Sequence, residues 1–238
     1  MTFVRKSTSF IVAIDGPAGS GKTTTAKALA KLLGFIYIDT GAMYRAVALL
    51  ALRRGIALDD MEEVCALLPE VNIRLELIDG MQRTLLNGED VESHIRTQEM
   101  SKAASDISRI PCVRETMVTL QRRAAEGPTG AILEGRDIGT VVFPDSPCKI
   151  YLVADAQTRA LRRKLQLEEK GLTADLATIA REIEERDRND ALREHSPLRK
   201  AKDAIEVETT NTSIDEQVTM ILGLVQKRLD QFMKGTQE

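Results

Sequence analysis

The chain opens with two successive units, each an apolar run followed by a segment with apolar residues at helical spacing. Residues 10–14 are apolar and rich in β-branched side chains, as in a buried strand, and residues 22–33 form a helical pattern that ends at Gly34. Residues 35–38 and 42–54 repeat this order of strand and helix. Because strands that alternate with helices pair in parallel, the pattern predicts a parallel sheet wrapped by helices.

A different pattern begins in the second quarter of the chain. A helix predicted over 59–68 is followed by alternating apolar and polar residues over 71–77, Asp-Gly at 79–80, and a short run over 83–86 that leads to Asn-Gly at 87–88. Dipeptides of this kind are typical of tight hairpin turns. The segment therefore predicts a small antiparallel lobe inserted into an α/β chain.

The second half of the chain returns to alternating helices and strands. The predicted elements are helices over 97–107 and 111–125, strands over 131–133 and 149–153, helices over 156–170 and 174–190, a strand over 204–207 and a terminal helix. Ser213 and Glu216 can open the terminal helix as a capping box.

A phosphate-binding pattern lies in the turn between the first strand and the first helix. The pattern G-x-x-x-x-G-K-[ST] is matched by Gly16, Pro17, Ala18, Gly19, Ser20, Gly21, Lys22 and Thr23. Glycines let successive backbone N–H groups point inward at a helix N-terminus, where they bind anions. Lys22 can lie between the β- and γ-phosphates, and the Thr23 hydroxyl can ligate Mg²⁺. We therefore predict a nucleoside triphosphate site that also includes Thr24.

The overall composition excludes several classes of partner. The 238 residues carry 33 Lys and Arg against 36 Asp and Glu, and aromatic residues make up only 3%, with no Trp. A protein that binds a nucleic-acid polymer usually has a basic excess or aromatic platforms for the bases. No apolar run is long enough to span a bilayer, and the N-terminus does not read as a signal peptide. We therefore expect no nucleic-acid polymer and no membrane among its partners.

The three cysteines, Cys65, Cys112 and Cys148, are odd in number and widely spaced. This spacing indicates neither a disulfide framework nor a zinc cluster, and His94 and His195 are too far apart to form a local metal motif. We therefore expect a reducing, cytoplasmic setting.

Arginines follow two of the predicted strands. Arg45 comes just after Asp-Thr-Gly at 39–41, beyond the second strand, and Arg136 follows the strand that ends at Leu133. In open α/β sheets ligands bind at the C-terminal ends of the strands, so these cations predict a site for further phosphates. The chain lacks the Asn-Lys-x-Asp segment that a GTPase needs, whereas its length alone does not exclude a ring-forming ATPase motor.

Four further segments follow the phosphate loop in a characteristic order. They are Asp39-Thr40-Gly41-Ala42-Met43-Tyr44-Arg45, residues 95–99 (IRTQE), residues 135–145 (GRDIGTVVFPD) and residues 185–187 (ERD). With these segments, from about residue 10 to the terminal helix, the chain resembles bacterial cytidylate kinases of the nucleoside monophosphate kinase group. Residues 135–145 carry the most specific part of the resemblance, because adenylate and thymidylate kinases lack this segment.

The resemblance implies an α/β fold of the P-loop type, in which a parallel sheet wrapped by helices carries an inserted small antiparallel lobe and a helical lid. The core would span about 8–58, 109–155 and 200–238, the monophosphate-binding insert about 59–108, and the lid about 156–199. It also implies that a monomer phosphorylates CMP and dCMP to CDP and dCDP, with ATP as donor and Mg²⁺ as cofactor.

Roles for individual residues are carried over from the resemblance by position. The readers of the cytosine ring would be Ser105, Arg114 and Asp137. The contacts to the sugar and the nearby phosphate would be Thr40, Arg186, Asp190 and Arg193. The grip on the monophosphate would come from Arg45 and Arg136, and the lid over ATP would contribute Arg162 and Arg163. The catalytic set would be Lys22, Arg45, Arg136, Arg162 and Arg186.

Two alternatives stay open at this point. The acceptor can be another monophosphate (UMP, dTMP or AMP), or the protein can be a P-loop switch or RNA-associated protein that uses ATP only to change shape. Glu134 also has two interpretations. It is either a contact to Mg²⁺ through water or a strand-end carboxylate paired with an arginine.

Overall fold

The structure is a computed structural model that describes residues 9–78, 81–127, 129–169, 171–173 and 175–235. The strands, in chain order, are β1 (Ile11–Asp15), β2 (Ile36–Asp39), β3 (Ile73–Ile78), β4 (Met81–Leu86), β5 (Glu89–Asp90), β6 (Ala131–Gly135), β7 (Cys148–Val153) and β8 (Ile205–Glu208). The helices are α1 (Lys22–Leu33), α2 (Thr40–Arg53), α3 (Met61–Leu67), α4 (Gln98–Ile107), α5 (Pro111–Ala124), α6 (Ala156–Glu168), α7 (Leu176–Ala191) and α8 (Ile214–Gly235).

The main sheet has five parallel strands in the order β2-β6-β1-β7-β8. The register pairs Asp15 at the end of β1 with Gly135 at the end of β6, and Asp39 at the end of β2 with Glu134. The carboxyl ends of three neighbouring strands therefore meet at one edge of the sheet. The predicted α/β architecture is confirmed.

Hydrophobic residues cover both faces of this sheet. On β6, Ala131 and Leu133 join the core beneath α2 and α5, whereas Ile132 between them joins the core beneath α1 and α8. Successive side chains of a strand point to opposite faces, so a strand buried on both sides must be apolar throughout. This explains why β1 and β6 are continuous apolar runs in the sequence.

The predicted antiparallel lobe is present as a three-stranded sheet in the order β3-β4-β5. Asn87 and Gly88 have φ angles of 52° and 89°, the paired positive values of a type I′ turn, and they connect β4 to the short β5, which the sequence did not predict. The other predicted turn, Asp79-Gly80, lies outside the described residues.

The helix ends agree with their predicted signals. Gly34 ends α1 with a φ of 67°, and the capping box at α8 is confirmed by bonds from Ser213 N to Glu216 Oε2 (2.9 Å) and from Glu216 N to Ser213 Oγ (3.3 Å). The two helices predicted over 156–170 and 174–190 are observed as α6 and α7, and residues 170 and 174 lie outside the described residues.

A small core of its own joins α6 to α7. Ala160 and Leu167 on α6 pack with Ile179 and Ile183 on α7, separately from the two cores of the main sheet. The pair of helices is therefore built as one unit.

The prediction of no disulfide is wrong. Cys65 on α3 and Cys112 on α5 are bonded, with their Cα atoms 5.9 Å apart and a sequence separation of 47. The packing of α3 against α5 brings the two cysteines together, and wide spacing in a sequence does not reveal such packing. Cys148 is buried in the main sheet, and burial raises the pKa of its thiol to about 12.

No helix in the described part of the chain is both long enough and apolar enough to cross a bilayer.

Candidate active site

A cleft of about 950 Å³ opens at the sheet edge where β1, β2 and β6 end. The phosphate loop, the start of α2, residues 134–137 and the helices α4 and α7 form its walls. Its lining contains eleven Lys or Arg and eight Asp or Glu, an excess of three positive charges. The whole chain carries a net charge of −3, so positive charge is concentrated in the cleft.

The phosphate loop needs glycine where neighbouring side chains approach it. Gly19 has a φ of 77°, and a Cβ there would lie 3.0 Å from Cβ of Arg159. Gly21 has a φ of 89°, and its Cβ would lie 2.9 Å from the Gln217 amide. Lys22 donates to the carbonyl of Pro17 at 2.6 Å, and burial, with Arg136 nearby, lowers the pKa of its ammonium well below the usual value.

Glu134 is held by two hydroxyl groups. Thr23 donates to its Oε2 at 2.8 Å and Tyr37 donates to its Oε1. Burial raises the pKa of this carboxyl. Within the described residues no ion pair joins Glu134 to an arginine, so the second of its two interpretations is not observed. A hydroxyl and a carboxylate at the loop are hard oxygen donors of the kind Mg²⁺ prefers, so these residues fit that ion.

Asp39 holds two arginines at the end of β2. Its carboxylate lies 3.2 Å from Arg45 and 2.6 Å from Arg96, and Arg96 also lies 2.6 Å from Glu92. Burial would raise the pKa of Asp39, but the two guanidinium groups bring it down to about 2. The carboxylate is therefore charged at neutral pH and fixes both arginines at the cleft wall.

Asp190 on α7 holds a second group of arginines. Its carboxylate lies 2.7 Å from Arg136 and also pairs with Arg193. Arg186, one turn earlier on α7, has a buried Nε without a partner among the described residues. Burial, with Arg136 nearby, lowers the pKa of Arg186 to about 10. Three arginines share the one carboxylate of Asp190, and such an excess of positive charge favours the binding of an anionic ligand in the cleft.

The predicted base readers Ser105, Arg114 and Asp137 all line the cleft. Arg114 and Asp137 form a buried ion pair, and Arg114 also donates to the carbonyl of Ser108 at 3.2 Å. The Ser105 hydroxyl is buried without a hydrogen-bond partner in the described part of the chain. The ring of Tyr44 lies beneath the Arg114 guanidinium at 5.8 Å. Sequence reasoning placed no role on Tyr44, although it lies within the segment that carries the resemblance.

Within the described residues, Arg162 is the one predicted arginine that does not line the cleft, whereas Thr40 lines it. Arg162 donates to the carbonyls of Thr209 and Thr212, before α8, and Thr209 in turn donates its hydroxyl to the carbonyl of Ser20 in the phosphate loop. Thr40 donates its hydroxyl to the carbonyl of Glu134 at 2.6 Å. Arg163 and Thr24 do line the cleft.

Sequence reasoning missed an ion pair against the phosphate loop. Arg159 on α6 donates to the carbonyl of Ala18 at 3.0 Å and pairs with Asp187 on α7. Asp187 lies in the 185–187 segment, but the sequence offers no signal that selects Arg159 from its neighbours Arg162 and Arg163.

One contact spans the two walls of the cleft. The amide of Gln98, at the start of α4, donates to both carboxylate oxygens of Glu182 on α7, at 2.8 and 2.6 Å.

Known proteins share both the sequence and the fold. The cytidylate kinase family model matches residues 12–227. Cytidylate kinase from Caldicellulosiruptor saccharolyticus is 47% identical over 216 residues, which are 91% of this chain and 95% of that protein. Cytidylate kinase from Geobacter sp. is 45% identical over 99% of this chain and 100% of that protein.

Solved structures agree at the level of fold. A gluconokinase from Sinorhizobium meliloti superposes with a TM-score of 0.50 at 12% identity, covering 98% of this chain and 100% of that one. The family match, the curated relatives and the phosphate-loop cleft all agree. The chain therefore belongs to the cytidylate kinase family and is a nucleoside monophosphate kinase that uses ATP.

Proposed function

We propose that the protein transfers the γ-phosphoryl group of ATP to CMP and dCMP, with Mg²⁺ as cofactor, and releases ADP with CDP or dCDP. The observation that carries this proposal is the buried pair of Arg114 and Asp137 beside the unpartnered hydroxyl of Ser105. These groups line the same cleft as the phosphate-loop residues Lys22 and Thr23.

Cytosine matches this set of groups. The Asp137 carboxylate can accept a hydrogen bond from N4 of cytosine. Arg114 and Ser105 can donate hydrogen bonds to its acceptors N3 and O2. Uracil presents a carbonyl where cytosine has N4, so it would face the Asp137 carboxylate with a second acceptor. A mismatch of buried polar groups costs about 1–3 kcal/mol, which corresponds to roughly 5- to 150-fold in selectivity.

The other predicted arginines that line the cleft would hold the phosphates. Arg45 and Arg136 would bind the monophosphate, and Arg186 and Arg193 would hold the nearby phosphate and sugar with Asp190. A structural point supports this order: both Arg45 and Arg136 follow strand ends and are fixed there by Asp39 and Asp190. Fixed cations need little reorganisation when charge develops on the transferring group.

The mechanism needs positioning and charge neutralisation rather than a general base. The acceptor oxygen of a monophosphate, with a second pKa near 6, is already largely anionic at neutral pH. Lys22 would bind the β- and γ-phosphates, and Thr23 with Glu134, through water, would hold Mg²⁺. The ion would neutralise charge on the phosphates. Arg136 and Arg186 would stabilise the group in transfer.

We also propose the division into core, insert and lid. The separate core between α6 and α7 supports a lid that moves as one unit over ATP, and this movement would exclude water as a competing acceptor. Arg163 would bind ATP from this lid. Arg162 would contribute to the ATP site from its position beside the Thr209 carbonyl. A monomeric state and a cytoplasmic location remain predictions.

The experiment is a coupled assay of ADP release with a panel of nucleoside monophosphates. We expect fast turnover with CMP and dCMP and slow turnover with UMP, dTMP and AMP. Comparable or faster turnover with one of the last three would assign a different acceptor. ATP hydrolysis that does not respond to any monophosphate would indicate a switch rather than a kinase of nucleotides.

A further inference from the structure

Asp15, the last residue of β1, makes an unusual pair of bonds. Its Oδ1 accepts from the backbone N–H of Ile138 at 2.9 Å, and its Oδ2 accepts from that of Gly139 at 2.8 Å. The residue is only 5% exposed. The acceptor and the donors lie more than 120 residues apart, so a strand of the sheet caps a turn that follows β6.

The capped turn is a single π-helical turn over Ile138–Val142, and Asp137 immediately precedes it. An Asp in this position usually accepts from the first N–H groups of its own turn. Asp137 makes no such bond; its carboxylate pairs with Arg114. An N-cap side chain accepts from the second or third N–H group of its turn, here Gly139 or Thr140, and Asp15 already occupies that of Gly139.

The turn has little room to shift. A Cβ on Gly139 would lie 3.2 Å from Cδ of Lys149 and 3.4 Å from Oδ2 of Asp15. The segment is therefore held between the end of β1 and the side chain of Lys149 on β7. These contacts hold the start of the turn, directly after Asp137, which lines the cleft.

We propose that Asp15 is a positioning residue for nucleobase selection. By capping the Ile138–Val142 turn in place of Asp137, it releases the Asp137 carboxylate for Arg114 and for the base of the monophosphate. This inference rests on the proposed function, because Asp137 reads a base only if the cleft binds a nucleobase beside it.

The test is Asp15→Asn, assayed with CMP, UMP and ATP. An Asn side chain has one acceptor oxygen, so its NH₂ group would face one of the two backbone donors. We expect the ratio of kcat/KM for CMP to that for UMP to fall about tenfold, while the KM for ATP changes less than about twofold. Because Asp15 directly precedes the phosphate loop, a merely structural role would disturb ATP binding at least as strongly.

A matched control is Asp155→Asn. Asp155 caps α6 by accepting from Thr158 N at 2.7 Å, and Asn is an equally good cap in that geometry. We expect its selectivity to equal that of the wild type. Gly139→Ala is a second probe of the same turn, and it should also reduce selectivity for CMP even if Asp15→Asn does not fold.

A double-mutant cycle with Asp137→Asn tests the route of the effect. If Asp15 acts through Asp137, Asp15→Asn lowers the CMP to UMP ratio no further once Asp137 is replaced. Additive effects, an unchanged ratio in the folded Asp15→Asn protein, or an equal loss for ATP would overturn the inference. Failure of the proposed function is distinguishable, because the wild type itself would then show no preference for CMP.

Discussion

The hydroxyl of Tyr37 donates a hydrogen bond to Oε1 of Glu134, and Thr23 donates to the other oxygen of the same carboxylate. A buried carboxylate with two donors is oriented, and Tyr37 lies on β2, the strand that pairs with the β6 strand carrying Glu134. This arrangement connects the β2 strand to the proposed Mg²⁺ position without a direct ligand from β2.

Tyr37→Phe should therefore weaken the use of Mg²⁺. Loss of one hydrogen bond to a charged group, worth about 1.5 kcal/mol, should raise the Mg²⁺ concentration for half-maximal activity roughly tenfold. Titration of activity with Mg²⁺ at saturating CMP measures this, and direct binding of Mn²⁺ followed by electron paramagnetic resonance gives a second readout. Tyr151→Phe on β7, outside the cleft lining, is the control; an equal shift there would contradict the role of Tyr37.

Lys22→Ala should reduce phosphoryl transfer by about two to three orders of magnitude, since a fixed positive charge at the transferring group is lost. The fold should survive, because burial of the ammonium is unfavourable for the folded state. Steady-state ADP release and circular dichroism measure the two effects. Lys31→Ala, in the exposed last turn of α1, should retain wild-type turnover. Near wild-type turnover of Lys22→Ala would contradict the assignment of the phosphate loop as the ATP site.

The stability of the protein should depend on pH through Asp15. Burial raises the pKa of Asp15 to about 6, and Lys22, Asp137, Lys149 and Tyr151 are the charged or titratable groups around it. A raised pKa favours the neutral carboxyl in the folded state, so this stabilisation is complete below about pH 4 and is lost as the pH rises through about 6. The shift corresponds to about 3 kcal/mol.

The Asp15→Asn variant tests whether the pH dependence of stability comes from Asp15. The variant has no carboxyl group to titrate at this position, so its Tm should lack the pH dependence that Asp15 gives the wild type. On acidification to about pH 4, the wild type should gain stability relative to the variant. Thermal unfolding of both proteins across this range measures the difference, and a constant difference in Tm would show that Asp15 does not titrate there.

Reduction of the Cys65–Cys112 disulfide should destabilise the protein. A bond that closes a loop with a separation of 47 residues contributes roughly 4 kcal/mol by loop-closure entropy. Thermal unfolding with and without a reductant should therefore show a fall in Tm, and Cys112→Ser should be destabilised to a similar degree and insensitive to the reductant. A reductant effect that persists in Cys112→Ser would point to another cause.

The parallel sheet and its phosphate loop could be predicted because local patterns determine them. The apolar run at β1, the helical period of α1 and the glycine at position 34 are each readable within about a dozen residues. The positions of Arg45 and Arg136 could be placed as well, since a parallel sheet brings strand ends to one edge.

Other features depend on packing between distant segments. The disulfide requires α3 to lie against α5, and the cap from Asp15 requires the turn after β6 to fold back onto β1. Neither contact has a local pattern, because their partners are separated by 47 and 124 residues. The same reason applies to Arg159, whose contact with Ala18 depends on how α6 packs against the phosphate loop.

The contact between Gln98 and Glu182 joins the two walls that the proposed insert and lid contribute to the cleft. If these parts approach together, a nucleotide that brings one wall inward lowers the free-energy cost of bringing the other. CMP would then increase the affinity for ATP, and by thermodynamic reciprocity ATP would increase the affinity for CMP by the same factor. The enzyme would thus favour the ternary complex over either nucleotide bound alone.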